Sequence, residues 1–165
     1  MSQVGSFGVN YTRTFTTDEY PHLPAKVRDV GSSPVGEFVF VQADGAIDQY
    51  GWVKVDYDGQ AVMVNQTNDG TNTLAIGVAQ VAFADNEYGW VWVGGLNGGG
   101  TGSGIKGKVA AGYVAKNNLY TTANAGIADD DSSGAAVKIA YVVGVAGTTP
   151  AAAVELASVG HAKIN

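Results

Sequence analysis

The chain has 165 residues, no cysteine, and 15 acidic against 9 basic side chains, which gives a formal net charge of −6 at pH 7. Such a chain forms one domain or two very small lobes. The lack of cysteine excludes a disulfide framework, a cysteine-based zinc site and a thiol nucleophile. The acidic balance argues against nucleic-acid binding, and no apolar run approaches the ~20 residues that span a bilayer. We therefore expect a soluble, globular protein with no signal peptide and no membrane partner.

Residues 1–35 are predicted to form an extended N-terminal arm. Residues 10–17 are β-prone, and Pro21, Pro24 and Pro34 punctuate the stretch. Each proline lacks an N–H donor and disfavours helix at the residue before it. The alternative to an arm is an ordinary first strand followed by a loop.

Residues 36–94 carry the pattern of a first β-lobe. Phe38 and Phe40 alternate with two valines, so both faces of this strand are expected to be buried. Tight turns are predicted at Asp44-Gly45 and Asp58-Gly59. β-branched and aromatic residues, which suit a pleated half-buried surface, dominate the strand-like runs. Further strands of this lobe are predicted at residues 51–57, 61–66, 74–83 and 89–94.

Residues 95–107 are predicted to be a glycine-rich loop, because glycine loses much conformational entropy on ordering. Residues 108–165 are then a second β-lobe, either separate from the first or part of one domain with it. Residues 110–116 and 151–157 are the best helix candidates, and the second of these fits a strand as well. In total about nine strands joined by Gly, Asp and Asn turns predict an all-β module of the β-sandwich or barrel type.

A weak internal repeat suggests that the two lobes are related. The tetrapeptide YGWV at residues 50–53 recurs at residues 88–91, and IGVA at 76–79 resembles VGVA at 143–146. A glycine inside a strand marks a bulge or a close approach of backbones. The alternative is that β-proteins reuse such short patterns by chance.

The residues after the glycine-rich loop partly match phosphate-binding motifs. Gly102, Gly107 and Lys108 have the spacing of such a loop, but Val109 stands where Ser or Thr should hold Mg²⁺. These motifs also need a helix N-terminus directly after them, and the following residues do not predict a helix. We therefore expect no nucleotide or other cofactor.

Candidate catalytic and metal-binding residues are sparse. Three adjacent carboxylates at residues 129–131 cannot all point at one ion in an extended chain, so we interpret them as a solvated turn. His22 and His161 have no carboxylate or serine at a recognisable motif spacing, although a triad need not be local in sequence. The prediction is a protein without a catalytic or metal site, which is not an enzyme.

The aromatic residues allow two interpretations. Trp52, Trp90 and Trp92, with Tyr88, could form a platform on which sugars or bases stack. Packing in a core or a subunit interface is the favoured alternative, because large aromatic side chains contribute most there.

The sequence resembles the capsid decoration proteins of tailed phages, also called cement or head-stabilising proteins. The resemblance covers roughly residues 36–158. It departs from the family's pattern in the length of its glycine-rich segment. The segments that carry it are GEFVFVQADGAI at 36–47, IGVA at 76–79, GWVWVGG at 89–95 and NLYTTANAGIADDD at 118–131.

The resemblance implies a β-rich homotrimer that binds the outer surface of a phage capsid and stabilises the shell. Its partner is the major capsid protein, its location is the virion exterior, and nucleic acid and membranes are not involved. A β-prone arm can add a strand to a sheet edge on the shell, and the predicted contacts are Tyr11, Arg13, Phe15 and Tyr20. The alternative function is a receptor- or glycan-binding head-fibre or tail-knob module that uses the three tryptophans.

Overall fold

A computed structural model describes residues 12–18, 30–33, 36–69, 73–94, 105–113, 118–133, 138–142, 147–148 and 154–162. Within these ranges all regular secondary structure is β-strand, which confirms the predicted all-β class. The thirteen strands are β1 (Thr14–Phe15), β2 (Val30–Ser33), β3 (Gly36–Ala43), β4 (Trp52–Asp56), β5 (Gln60–Met63), β6 (Thr73–Ala79), β7 (Tyr88–Gly94), β8 (Lys106–Ala110), β9 (Asn118–Thr121), β10 (Ala128–Asp129), β11 (Lys138–Val142), β12 (Gly147–Thr148) and β13 (Val154–Ala162).

Two regions of the chain differ from their predicted local structure. β1 and β2 both lie in the predicted arm, and β2 pairs with β3, so part of this region belongs to the first sheet. β8 begins at Lys106, inside the segment predicted as loop, whereas residues 95–104 lie outside the described residues. The segment that fitted either a helix or a strand contains the start of β13.

The first sheet closes into a barrel, as the barrel-like prediction requires. Its strand order is β1-β7-β6-β4-β5-β3-β2, and an additional pairing joins β7 to β3. The closed ring is therefore β3-β7-β6-β4-β5, with the parallel β3–β5 pair, Gln42 opposite Gln60, completing it. Closure gives every ring strand a neighbour on both sides, although β7 extends past the end of β6 at Tyr88 and Gly89. β1 and β2 pair with ring strands but are not members of the ring.

The barrel has an internal pseudo-two-fold relation. β3 pairs with β7 and β4 with β6 in one continuous antiparallel register, for example Phe40 opposite Trp90 and Val53 opposite Gly77. At its centre the Ile47 N–H donates to the Phe83 carbonyl at 3.0 Å and the Phe83 N–H donates to the Ile47 carbonyl at 2.9 Å. This pair of reciprocal hydrogen bonds marks the pseudo-two-fold axis.

The turns that follow the central pair are equivalent too. Tyr50 and Asn86 both have positive φ angles, 63° and 65°, in the left-handed region that few non-glycine residues adopt. The structural relation thus places Trp52 at the position of Tyr88, two residues away from the match that the YGWV repeat suggested. In the ring β5 lies between β3 and β4, whereas β6 and β7 pair directly with each other. β5 therefore has no counterpart and breaks the symmetry.

The second sheet repeats the pairing pattern of the barrel. Its order is β11-β9-β10-β8-β13-β12, and β11 also pairs with β13. β8, β9, β10, β11 and β13 therefore correspond to β3, β4, β5, β6 and β7, including one parallel pair, β8–β10 in place of β3–β5. The two sheets share one topology, which is what two related lobes would show.

Two hydrophobic cores hold the described residues together. The barrel interior contains mostly small side chains, and its members include Val39, Val41, Val53, Val55, Ala61, Ala75, Ala79 and Val91. The second core lies between the barrel and the second sheet and contains larger side chains, among them Phe38, Trp52, Trp92, Ile105, Tyr113 and Leu119. The alternation predicted for β3 explains this division, because its valines point into the barrel and Phe38 points outwards.

Candidate functional surface

Four aromatic side chains pack on the outer face of the barrel. The ring centroids of Phe40 and Trp90 are 5.1 Å apart in an edge-on arrangement, and those of Phe40 and Tyr88 are 6.2 Å apart and nearly parallel. Phe15 of β1 completes the group with its centroid 6.3 Å from that of Phe40. Such tilted and offset pairs stabilise beyond the area they bury. We call Phe15, Phe40, Tyr88 and Trp90 the aromatic cluster.

β1 places Phe15 on this cluster by pairing with the start of β7. Thr14 lies opposite Gly89 and Phe15 lies opposite Tyr88. The Arg13 guanidinium carbon lies 4.8 Å from the centroid of the Phe15 ring, within the range of a cation–π contact. β1 is therefore anchored on its own barrel through Phe15. Of the predicted capsid contacts, Tyr11 and Tyr20 lie outside the described residues.

Gly89 leaves room for the Phe83 ring, which packs directly against its backbone. A Cβ on Gly89 would lie 2.7 Å from the Phe83 ring, whereas the Arg13 carbonyl oxygen would be at an ordinary contact distance of 3.5 Å. Real Cβ atoms do not approach ring atoms so closely. The glycine in the YGWV pattern thus marks a close approach, as glycine inside a strand often does.

The three tryptophans have different surroundings. Trp52 and Trp92 are fully buried in the core between the sheets, whereas Trp90 is partly exposed. The Trp52 indole N–H donates to the Lys108 carbonyl oxygen at 2.8 Å, so this side chain joins the barrel to the second sheet. A role in ligand binding stays a prediction, and Trp90 is the tryptophan whose surface a ligand can reach.

Polar groups reinforce the joint between the barrel and the second sheet. The Gln80 side chain, only 8% exposed, accepts the Lys106 N–H at 3.1 Å and donates to the Lys106 carbonyl oxygen at 2.9 Å. The Gln80 amide thereby makes both backbone hydrogen bonds to Lys106 that a neighbouring strand would make. The Lys108 N–H donates to the Tyr50 carbonyl oxygen at 2.8 Å, directly beside this contact.

The acidic segment begins at the end of β10 and continues through a bend that local hydrogen bonds hold, in place of the predicted turn. The Asp130 N–H donates to an Asp129 carboxylate oxygen, and both the N–H and the hydroxyl of Ser133 donate to Asp131. Burial raises the pKa of the Asp129 carboxyl above its ordinary value, and the neighbouring carboxylates act in the same direction. Across the described ranges, no three acidic or histidine side chains converge as metal ligands would.

The other candidate sites are placed as follows. Lys108 of the phosphate-loop match lies in a strand, β8, and its ammonium pairs with Asp48 at 2.7 Å. Gly102 and His22 lie outside the described residues, and His161 lies in β13. No helix among the described residues has the length and apolar character needed to cross a membrane.

Two aromatic residues, Phe40 and Tyr57, were not predicted as site residues from the sequence. Phe40 belongs to the aromatic cluster, and its signal was the alternation of phenylalanine with valine in β3. Tyr57, at the turn between β4 and β5, is 73% exposed. Its position between two aspartates, directly before the predicted Asp58-Gly59 turn, was the available signal.

Comparison of the chain with protein-family models, with curated proteins and with solved structures found no match.

Proposed function

We propose that this protein is a structural component of a phage virion, which binds the outer surface of the capsid and stabilises the shell. Three of the segments that resemble decoration proteins, at residues 36–47, 76–79 and 89–95, overlap β3, β6 and β7. These strands are neighbours in the barrel, in the order β3-β7-β6. The similar segments thus form one continuous surface that carries Phe40 and Trp90 of the aromatic cluster, and this observation supports the proposal.

The described surface has properties that suit adhesion. A partly exposed tryptophan surrounded by other aromatic rings is the kind of side chain that dominates protein interfaces. Many copies on one lattice multiply a modest interface, since each bound copy acts in a symmetric array. In this proposal three copies assemble into a homotrimer on the shell, their partner is the major capsid protein, and the protein carries out no chemical reaction.

The test is to add purified protein to capsid shells that lack it and to measure both binding and the temperature at which the particles break. We expect saturable binding and a higher breaking temperature. Removal of residues 1–11 leaves β1 in place, and it should weaken attachment if the residues before β1 contact the shell. Absence of binding at saturating concentration, to every maturation state of the shell, would refute the proposal.

A matched pair of variants tests the attachment surface. Trp90→Ala should weaken binding to shells by more than about tenfold, because truncation of a central aromatic residue typically costs at least ~2 kcal/mol. Tyr57→Ala removes an exposed aromatic residue at a different place, the turn between β4 and β5, and should bind like the unchanged protein. Equal binding by both variants would show that the cluster is not the contact.

A glycan-binding head-fibre or tail module is the second candidate, and the partial exposure of Trp90 favours it. Host glycans would then quench or shift the tryptophan fluorescence. Trp90→Ala should abolish this change while the fold persists, because Trp52 and Trp92 are buried in the core. An unchanged spectrum with all glycans tested, together with binding to shells, would favour the decoration role.

A further inference from the structure

Both sheets have a short extra strand at the same place. In the second sheet β12 pairs with β13, Gly147 opposite Leu156 and Thr148 opposite Glu155. β13 corresponds to β7, and β1 pairs with β7 in the corresponding place, beyond the point where the neighbouring ring strand ends. We call the edge of β7 at Tyr88 and Gly89 the acceptor edge.

The two sheets fill this place from different parts of the chain. β12 lies between β11 and β13 in sequence, so the strand it provides is local to its own sheet. β1 instead comes from the N-terminal region, and residues 16–29 separate it from β2. The acceptor edge of the barrel is therefore occupied by a segment that has a long connection to the rest of the sheet.

We propose that β1 of one copy of this chain binds the acceptor edge of a second copy. The contacts would be those already present within one chain: Thr14 opposite Gly89, Phe15 opposite Tyr88, and the Phe15 ring against Phe40. The same contacts form whether β1 binds its own barrel or that of another copy. The equilibrium between the two arrangements therefore depends on the effective concentration of β1 that the connection, residues 16–29, imposes. Exchange of an identical element is a low-cost route to symmetric oligomers.

Release of β1 would leave the barrel intact. The closed ring β3-β7-β6-β4-β5 does not include β1, and β1 is only two residues long. Its departure would expose Phe40 and Tyr88, which are otherwise 5% and 6% exposed. An acceptor edge flanked by two such rings favours rebinding of a β-strand that carries an aromatic side chain.

The connection is long enough for both arrangements. Within one chain β1 and β2 are separated by β7 and β3, that is, by three interstrand steps of about 4.8 Å. The offset along the strands, from Tyr88 to Val91, adds about 10 Å, so the direct span is about 17 Å. An extended connection over residues 16–29 reaches about 50 Å, which leaves enough slack to reach a neighbouring molecule.

The first test shortens the connection. Deletion of residues 18–28 leaves a reach of about 13 Å, which is less than the direct span, so β1 can no longer return to its own barrel. We expect the mass in solution, measured by light scattering, to rise about two- to three-fold as a closed ring of copies forms. Replacement of the same residues by a Gly-Ser segment of equal length is the control and should keep the mass of the unchanged protein.

A second substitution identifies the contact. Phe15→Ala in the shortened chain should return the mass to that of one chain, because it removes the ring that packs on Phe40. A shortened chain that is folded by tryptophan fluorescence, but has the mass of one chain, would overturn the proposal. A shortened chain that oligomerises equally well with Phe15→Ala would overturn it too.

The full-length chain provides an independent test if the shortened chain fails to fold. Phe15→p-benzoylphenylalanine keeps an aromatic group at this position and forms a covalent bond with its neighbours under light. Isotopically heavy and light copies are mixed, refolded together, and compared at micromolar and millimolar concentration. We expect links from residue 15 to the Phe40 and Tyr88 region that join heavy to light chains at millimolar concentration. Links within single chains at every concentration, or heavy–light links elsewhere, would overturn the proposal.

Discussion

The barrel interior and the core between the two sheets are built from different side chains, although the same strands contribute to both. The interior holds mainly valine and alanine, whereas the core between the sheets holds Trp52, Trp92 and Phe38. A five-stranded barrel has a narrow interior, so small β-branched residues fill it. The large residues point outwards, where the second sheet covers them, and their burial stabilises the joint between the two sheets.

The barrel is therefore closed by its backbone hydrogen bonds, whereas the joint between the sheets depends on a few large contacts. Trp52 contributes both area and a hydrogen bond to the joint, and Gly107 of β8 packs directly on its indole ring. Substitutions at the joint should therefore have large effects that are concentrated at few positions. Substitutions in the barrel interior should each have a smaller effect.

The largest effect is expected from Trp52→Ala. It removes a fully buried indole and leaves the Lys108 carbonyl without its donor, so the free energy of unfolding should fall by about 3–5 kcal/mol. Val53→Ala is the matched substitution on the opposite face of the same strand and should cost about 2 kcal/mol. Urea unfolding followed by circular dichroism measures both. A larger loss for Val53→Ala would show that the barrel interior, and not the joint, holds the more sensitive core.

The next largest effect is expected from Gly107→Ala. A Cβ at this position would lie 2.9 Å from a carbon atom of the Trp52 ring, which cannot move away because the ring is buried. Overpacking of this kind costs about 1–3 kcal/mol.

Gly94→Ala is the control for this substitution, because a Cβ there would meet nothing closer than a Glu37 carboxylate oxygen at 3.9 Å. It should change the free energy of unfolding little. Thermal unfolding of the two variants side by side makes the measurement. Equal melting temperatures would mean that the second sheet moves away from Trp52 without loss.

The polar part of the joint is tested by Gln80→Met. The variant keeps the size of the side chain but leaves the N–H and carbonyl of Lys106 without these partners, at a cost of about 1–3 kcal/mol. Gln66→Met removes a single bond, to the Thr121 carbonyl, and should cost about 1 kcal/mol or less. Amide hydrogen exchange at Lys106 should accelerate in the first variant and stay unchanged in the second.

Much of the fold follows from local patterns in the sequence. The alternation in β3 predicted two buried faces, and the Asp-Gly pairs predicted the turns at Gly45 and Gly59, both of which have positive φ angles. The all-β class followed from β-branched and aromatic runs separated by such turns. These features depend on neighbouring residues, so a single sequence is enough to show them.

The remaining features depend on contacts between distant parts of the chain. The YGWV repeat aligned Trp52 with Trp90, whereas the reciprocal bonds of Ile47 and Phe83 relate Trp52 to Tyr88. Burial of Trp52 depends on β8, which lies far along the chain, so no local pattern separates it from Trp90. The packing of Phe15 on Phe40 likewise needed the docking of β1 to be known.

The smallest change in the free energy of unfolding is expected from a substitution of Asp129 at the rim of the joint. Ala128 is buried in the core there, and Asp129, which follows it, is half-buried. Burial raises the pKa of the Asp129 carboxyl above its ordinary value of 3.8, so the folded protein holds this proton more tightly than the unfolded chain does. The stability from this group is fully present below that ordinary value. It is lost as the pH rises through the raised pKa.

Asp129→Asn keeps an oxygen that can accept the Asp130 N–H and stays uncharged at every pH. The variant should match the unchanged protein in acid and become slightly more stable than it as the pH rises towards neutrality. Urea unfolding at a series of pH values measures the difference between the two curves. A variant whose advantage is greatest in acid, and disappears at neutral pH, would show that Asp129 is instead stabilised as the anion, and that the rim of the joint is more polar than its burial indicates.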